Sequence, residues 1–211
     1  MNTTPHPTPP LVSVTPGPGT EWEARRRLAR VPIDPPAGPF GRLLTWACRR
    51  MYGRPLDNAH AMAFNRRVLL ATFAYERRVA KFDRLDPGLK ALATMAAAAE
   101  IGCTWCIDFG YHLAHTEGLD LAKLAAVPNW STAENLTVLE KQVIEFAVAA
   151  TRTPTEVTDA MVAPLRATLG DAGLIELAMI VAIENQRSRF NSTLGLVSQG
   201  FSASCQLPSA E

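Results

Sequence analysis

Two cysteines three residues apart, Cys103 and Cys106 in the segment Glu100-Ile-Gly-Cys-Thr-Trp-Cys106, are the residues of this chain best suited to chemistry. At helical positions i and i+3 they share a face, close enough to form a disulfide or to hold a metal between them. A C-x-x-C pair can also lower a thiol pKa toward neutrality and so make a nucleophile. If Cys103 opens a helix, the free N–H groups and the dipole of that terminus favour a thiolate there, with Cys106 one turn further in. Thiolate attack on an O–O bond gives a sulfenic acid, and a second thiol nearby condenses with it before it over-oxidises. Glu100, three residues before Cys103, is a candidate proton shuttle or else a solvated or capping carboxylate, with Gly102 interrupting the helical spacing between them.

Two other readings of the pair stand beside redox chemistry: buried structural thiols, and a metal site. Zinc needs two more ligands in a tetrahedron. His112 and His115 are the nearby histidines, and on a continuous helix they lie about 240° and about 180° round from Cys106, facing away. Haem attachment needs a histidine directly after the second cysteine, where Ile107 stands. A thioredoxin-like motif needs strands around it, and the sequence has no strand alternation. The reading therefore calls for no metal and no cofactor.

The elements that must position the pair are helical. Asp86-Pro87 starts a helix running through Leu89, Leu92, Met95 and Ala96 to Glu100, and Gly102 caps its end. Cys103 then opens a helix to about Glu117. Earlier, Leu43, Leu44, Trp46, Ala47 and Met51 fit one amphipathic helix, and Ala63, Val68, Leu69, Leu70, Phe73 and Ala74 a second. Later helices cover about 135–151, Thr155 to Gly170, and about 172–200. Asn185, Gln186, Arg187, Arg189 and Asn191 fall late in that last apolar helix. They belong either to a subunit interface or inter-helix network, or to the surroundings of the cysteines. Trp105 reads as packing.

Composition sets the outer bounds. The 211 residues carry a net charge of +1 and are 47% hydrophobic, which suits one globular core and gives no field for nucleic acid or an acidic membrane. The Arg25-Arg26-Arg27 run follows Glu21 and Glu23 and reads as a solvated helix end. Ten of the sixteen prolines fall in the first 40 residues. The division expected is a Pro-rich extension over 1–38, disordered or extended to about residue 20, an all-α domain over 39–203, and a tail over 204–211. No apolar run reaches a membrane span, and the N-terminus lacks the basic start and apolar core of a secretory signal. Cytoplasmic localisation follows, where a C-x-x-C is redox-active or metal-binding rather than a standing disulfide. Cys48 reads as core and Cys205 as incidental.

The segment Ala99-Glu-Ile-Gly-Cys-Thr-Trp-Cys-Ile-Asp-Phe-Gly110 resembles the signature of the carboxymuconolactone decarboxylase and AhpD-like superfamily. Leu139 to Pro154 is similar to its next helix and loop, and Ile183 to Asn191 to its polar late helix. The resemblance implies an all-helical fold, homo-oligomers and, in the AhpD branch, a thiol-dependent hydroperoxide reductase of peroxiredoxin type. By that resemblance Cys106 attacks the peroxide and Cys103 resolves it, whereas the helix-terminus argument makes Cys103 the more acidic thiol. The chain departs from the pattern at two places. Gly110 stands where the family has a histidine one turn after the second cysteine, and Ala91 where it has an upstream acid. Glu100, or more weakly Asp108, would take over the proton relay. The implied partners are a small hydroperoxide or small organic acid and a protein dithiol as electron donor. The alternatives are a non-redox decarboxylase-like enzyme acting on a small cyclic acid, and a helical oligomer without turnover.

Overall fold

The computed structural model describes residues 20–204. The expected Pro-rich tail before residue 20, Cys205 and nearly all of the expected C-terminal tail lie outside the described residues. The helices are α1 (Trp22–Leu28), α2 (Gly38–Tyr52), α3 (Asp57–Met62), α4 (Arg66–Val79), α5 (Pro87–Ile101), α6 (Thr104–Thr116), α7 (Leu121–Ala125), α8 (Val138–Thr151) and α9 (Asp159–Thr193), the last broken at Gly170. Short 3₁₀ turns occur at Val127–Asn129 and Ser202–Ser204. Among the described residues there is no strand, and the fold is all-α as the sequence implies.

The fold is built around α5. Its start is fixed by Asp86, whose carboxylate accepts from the N–H groups of Gly88 and Leu89, with Pro87 at the first turn. Its interior is small: Ala93, Ala96, Ala97, Ala98 and Ala99 are buried. Side chains of one carbon let α6, α8 and α9 all approach the same helix, which is the packing observed. Gly102 ends α5 at φ 78°, a left-handed conformation that costs glycine nothing. The turn it makes sends the chain into α6 with Cys103 at the N-cap.

Two expectations need revision. The apolar stripes of α2 and α4 face this chain's own core only in part: Leu69 is buried and Leu44 packs against the core, whereas Leu43, Trp46, Leu70 and Phe73 are exposed, Trp46 at 63%. Periodicity identifies an apolar face, not its partner. Helix α2 meets the core through Cys48, with Phe40, Leu44 and Tyr52 packed against that core, and approaches closely at Gly41, where a Cβ would lie 1.7 Å from the Pro36 carbonyl oxygen. The arginine run is also not uniformly solvated. Arg25 Nε donates to the buried Asp57 carboxylate at 2.8 Å, which anchors α1 to α3. Behind it, Ile33 is buried and its carbonyl meets His60 Nδ1 at 3.0 Å, so part of the expected extension joins the core.

Candidate active site

The cysteines sit at the N-terminus of α6, packed under α9. Cys103 is 1% exposed and Cys106 7%, and both are free thiols. As N-cap, Cys103 turns its sulfur back over the first turn, where it accepts from the Cys106 backbone N–H at 3.3 Å. This is the local reason that a cysteine can occupy a position usually held by serine or aspartate. The pair titrates as a unit. A hydrogen bond from the Cys106 thiol, helped by the Cys106 N–H, lowers the Cys103 thiol below its ordinary value against the effect of burial. Burial, the same shared bond and the nearby Glu184 charge push Cys106 up. Cys103 is therefore the more acidic thiol of the two and Cys106 the less acidic.

Three side chains of α9 reach the pair. Asn191 Nδ2 donates to Cys106 Sγ at 3.3 Å, while its Oδ1 is buried and has no hydrogen-bond partner. The Ser188 hydroxyl interacts with both thiols and donates to Glu184 Oε1 at 2.6 Å. The Glu184 carboxyl is fully buried and also interacts with Cys106. Burial raises it above the usual carboxylate range, opposed by Arg187, Ser188 and Cys106. Arg187 is committed elsewhere: Nε donates to Glu76 Oε1 at 2.8 Å and Nη2 pairs with Glu76 Oε2, leaving Nη1 at 3.5 Å from Glu184.

The structure disperses several residues that sequence spacing drew together. Because Gly102 breaks the helix, the Glu100 carboxylate points to Arg152, whose Nε donates to it at 3.0 Å, and not to a thiol. Asp108 is buried, and its carboxylate is filled by the N–H groups of Gln199, Phe201 and Ser202 and by the Ser202 hydroxyl. Its work is to strap the C-terminal segment over α6. Trp105 packs on Phe109 at 5.0 Å and donates to Gln199 Oε1, fastening the same strap. His112 lies against Phe109 and Phe201, away from the cysteines. The polar run of α9 divides in two. Asn185 and Arg189 bond Thr151 of α8, an inter-helix network, whereas Asn191 belongs to the cysteines. Glu184 and Ser188 were not singled out by sequence reasoning. Their signal is the apolar stripe they interrupt, since Leu177, Ile180, Val181, Glu184, Ser188 and Asn191 follow helical spacing on one buried face.

A fold of helices packed on an alanine-rich α5, with a C-x-x-C pair opening α6, defines the class. Residues 67–149 match the model of the carboxymuconolactone decarboxylase family, and over that stretch the chain is similar to this family. Among its relatives, the uncharacterized protein YnjA of Escherichia coli (strain K12) is 29% identical over 168 residues, covering 77% of this chain and 88% of YnjA. The debrominase Bmp8, solved as a cysteine-to-alanine variant in complex with 2,3,4-tribromopyrrole, superposes with a TM-score of 0.71 at 18% identity, covering 83% of this chain and 96% of Bmp8. An alkylhydroperoxidase AhpD core, a peroxidase-related protein of Ralstonia eutropha JMP134, superposes with a TM-score of 0.66 at 20% identity, covering 83% and 95%.

Proposed function

We propose that this protein is a thiol-dependent oxidoreductase of the AhpD type that reduces small hydroperoxides with Cys103 and Cys106. The observation that carries this reading is the pair itself: two free thiols on one helical turn, the Cys106 N–H on Cys103 Sγ, and three polar groups of α9 converging on Cys106. Following the family, Cys106 attacks and Cys103 resolves. In balance, two thiols and one hydroperoxide give one disulfide, one alcohol and one water, and an external dithiol returns the pair to its reduced form. Burial of both sulfurs favours a small electrophile, and a cytoplasmic setting would keep them reduced. Among the described residues no helix is long and apolar enough to cross a membrane. The exposed apolar faces of α2 and α4 support a homo-oligomer in which a second copy covers them.

The decisive experiment is intact mass with thiol alkylation, before and after one equivalent of an organic hydroperoxide. Loss of two alkylatable thiols, mapped to a Cys103–Cys106 disulfide, is the expected result. Unchanged alkylation would reject it and favour the non-redox decarboxylase-like enzyme or the oligomer without turnover. The fold shared with a debrominase supports a second electrophile for the same pair. Reductive removal of bromine from a small aromatic consumes the same two thiol electrons, so 2,3,4-tribromopyrrole belongs in the same assay.

A further inference from the structure

We propose that Glu184, assisted by Ser188, is the proton relay of the cysteine pair, the part that Gly110 leaves vacant in the sequence pattern. The inference rests on the hydroperoxide reading above and assigns it a catalytic group. The Glu184 carboxylate takes the proton of Cys106. The thiolate then attacks the terminal oxygen of the hydroperoxide, the S–O bond forms and the O–O bond breaks. Sulfur is oxidised to the sulfenic acid and the peroxide is reduced. The leaving alkoxide takes its proton from the Glu184 carboxyl, which returns to its starting state.

The surroundings of Glu184 are those of a working acid–base group rather than a structural ion pair. A buried carboxylate kept for structure is matched by a cation of its own or by a full set of hydrogen-bond donors, as Asp108 is. Here the available cation, Arg187, spends its Nε and Nη2 on Glu76 and offers Glu184 only Nη1 at 3.5 Å, farther than the neutral Ser188 hydroxyl at 2.6 Å. Its other neighbours are the reacting sulfurs. The groups facing it from each packed element are Arg187 and Ser188 on α9, Cys103 and Cys106 on α6, and Glu76 on α4 across Arg187, with Tyr52 of α2 in the same electrostatic neighbourhood. A carboxyl raised by burial gives and takes a proton more readily near neutral pH than an exposed one.

The test compares full-length wild type with Glu184→Gln, Glu184→Asp and Ser188→Ala, each checked for fold by circular dichroism. Two rates are followed across pH at Cys106 by peptide mass spectrometry: oxidation by cumene hydroperoxide, and alkylation by iodoacetamide, whose iodide leaves without a proton. In Glu184→Gln the oxidation rate at neutral pH falls at least about 100-fold. The alkylation profile moves to lower pH, because the anion opposing Cys106 ionisation is gone. Glu184→Asp recovers part of the oxidation rate, and Ser188→Ala falls between wild type and Glu184→Gln. A merely loosened site would speed both reactions together, so changes of the two rates in the same direction overturn the relay. A Glu184→Gln protein with both wild-type profiles also overturns it. If wild type itself does not react with hydroperoxide, the functional reading fails. The proton coupling is then decided by alkylation alone, upheld by the downward shift and overturned by its absence.

Discussion

The side-chain amide of Asn191 donates to Cys106 Sγ at 3.3 Å from within α9, and the carbonyl end of the same amide has no partner. An amide is suited to a sulfur that changes charge, since it accepts from S–H in one orientation and donates to S⁻ in the other. Asn191→Ala removes a hydrogen bond to a charged group, worth about 1.5–3 kcal/mol. The Cys106 thiol rises by about 1–2 pKa units in consequence. Iodoacetamide alkylation of Cys106 at pH 7.5 should slow about 10–100-fold, and Asn191→Asp should slow it further by placing an anion against the sulfur. An unchanged rate in both variants would mean that the amide serves packing alone.

The two thiols divide their roles in a way that single serine variants expose. With Cys106 attacking, Cys103→Ser stops at a Cys106 sulfenic acid, which dimedone traps, and Cys106→Ser gives no trapped species. Cys103 is the more acidic of the two thiols, which by itself argues for the opposite order. A dimedone adduct on Cys103 in Cys106→Ser, with none on Cys106 in Cys103→Ser, would reverse the assignment.

What the sequence disclosed of this site is a matter of range. The end of α5 at Gly102, the opening of α6 at Cys103 and the capping turn at Asp86-Pro87 are local and could be read directly. Glu100 was drawn to the cysteines by spacing alone, and the left-handed Gly102 turns it to Arg152. Glu184 lies 78 residues from Cys106, and only the packing of α9 over α6 joins them. A carboxylate on an otherwise apolar helical stripe was the trace it left. The same limit governs α2 and α4, whose stripes are plain in the sequence and whose exposure is not.

Asp108 illustrates how a buried carboxylate near a reactive centre can be wholly structural. Its oxygens accept from three backbone N–H groups of residues 199, 201 and 202. In Asp108→Ala those donors stay buried without partners, at about 1–3 kcal/mol each. Loss of at least about 3 kcal/mol lowers the melting temperature by about 6–12 °C for a chain of this size. The strap also covers the start of α6, where the Ser198 N–H meets Thr104 Oγ1 at 3.4 Å. Cys103 and Cys106 should therefore label faster in the variant, measured by alkylation under native conditions. A melting temperature within 2 °C of wild type would contradict this account.

His60 makes the stability of the arm depend on pH. Its ring is buried between the Ile33 carbonyl, 3.0 Å from Nδ1, and the Thr45 hydroxyl, 3.1 Å from Nε2. Burial lowers its pKa, with the Ile33 carbonyl and Asp57 opposing. For a histidine depressed in the folded state, the unfolded chain binds the proton first. The stability present above the unfolded value of about 6.5 is thus lost as pH falls toward the folded value. The slope is at most about 1.4 kcal/mol per pH unit for this one proton. His112 is also lowered by burial and adds a slope of its own. Denaturant unfolding from pH 7.5 to 5 should show the decline, and His60→Gln should flatten it in part. An equally steep decline in His60→Gln would assign it to other groups.

Gly110 offers the converse test of the relay. A Cβ built there meets only the Met95 methyl within 4 Å, at 3.6 Å, which is ordinary contact, so the position admits a side chain. By the family resemblance this is where a histidine would act as base on the second cysteine, one turn along α6. Replacing a helical glycine also brings a few tenths of a kcal/mol of helix propensity, so Gly110→His should fold at least as well as wild type. If Glu184 already moves the Cys106 proton, a second base adds little: Gly110→His alone should change the hydroperoxide rate less than about 3-fold. In the Glu184→Gln background the same histidine should restore the rate at least about 10-fold, with a pH profile that now follows an imidazole near 6.5. Stopped-flow consumption of cumene hydroperoxide across pH decides it. Equal gains in both backgrounds would mean that the wild-type site lacks a working base.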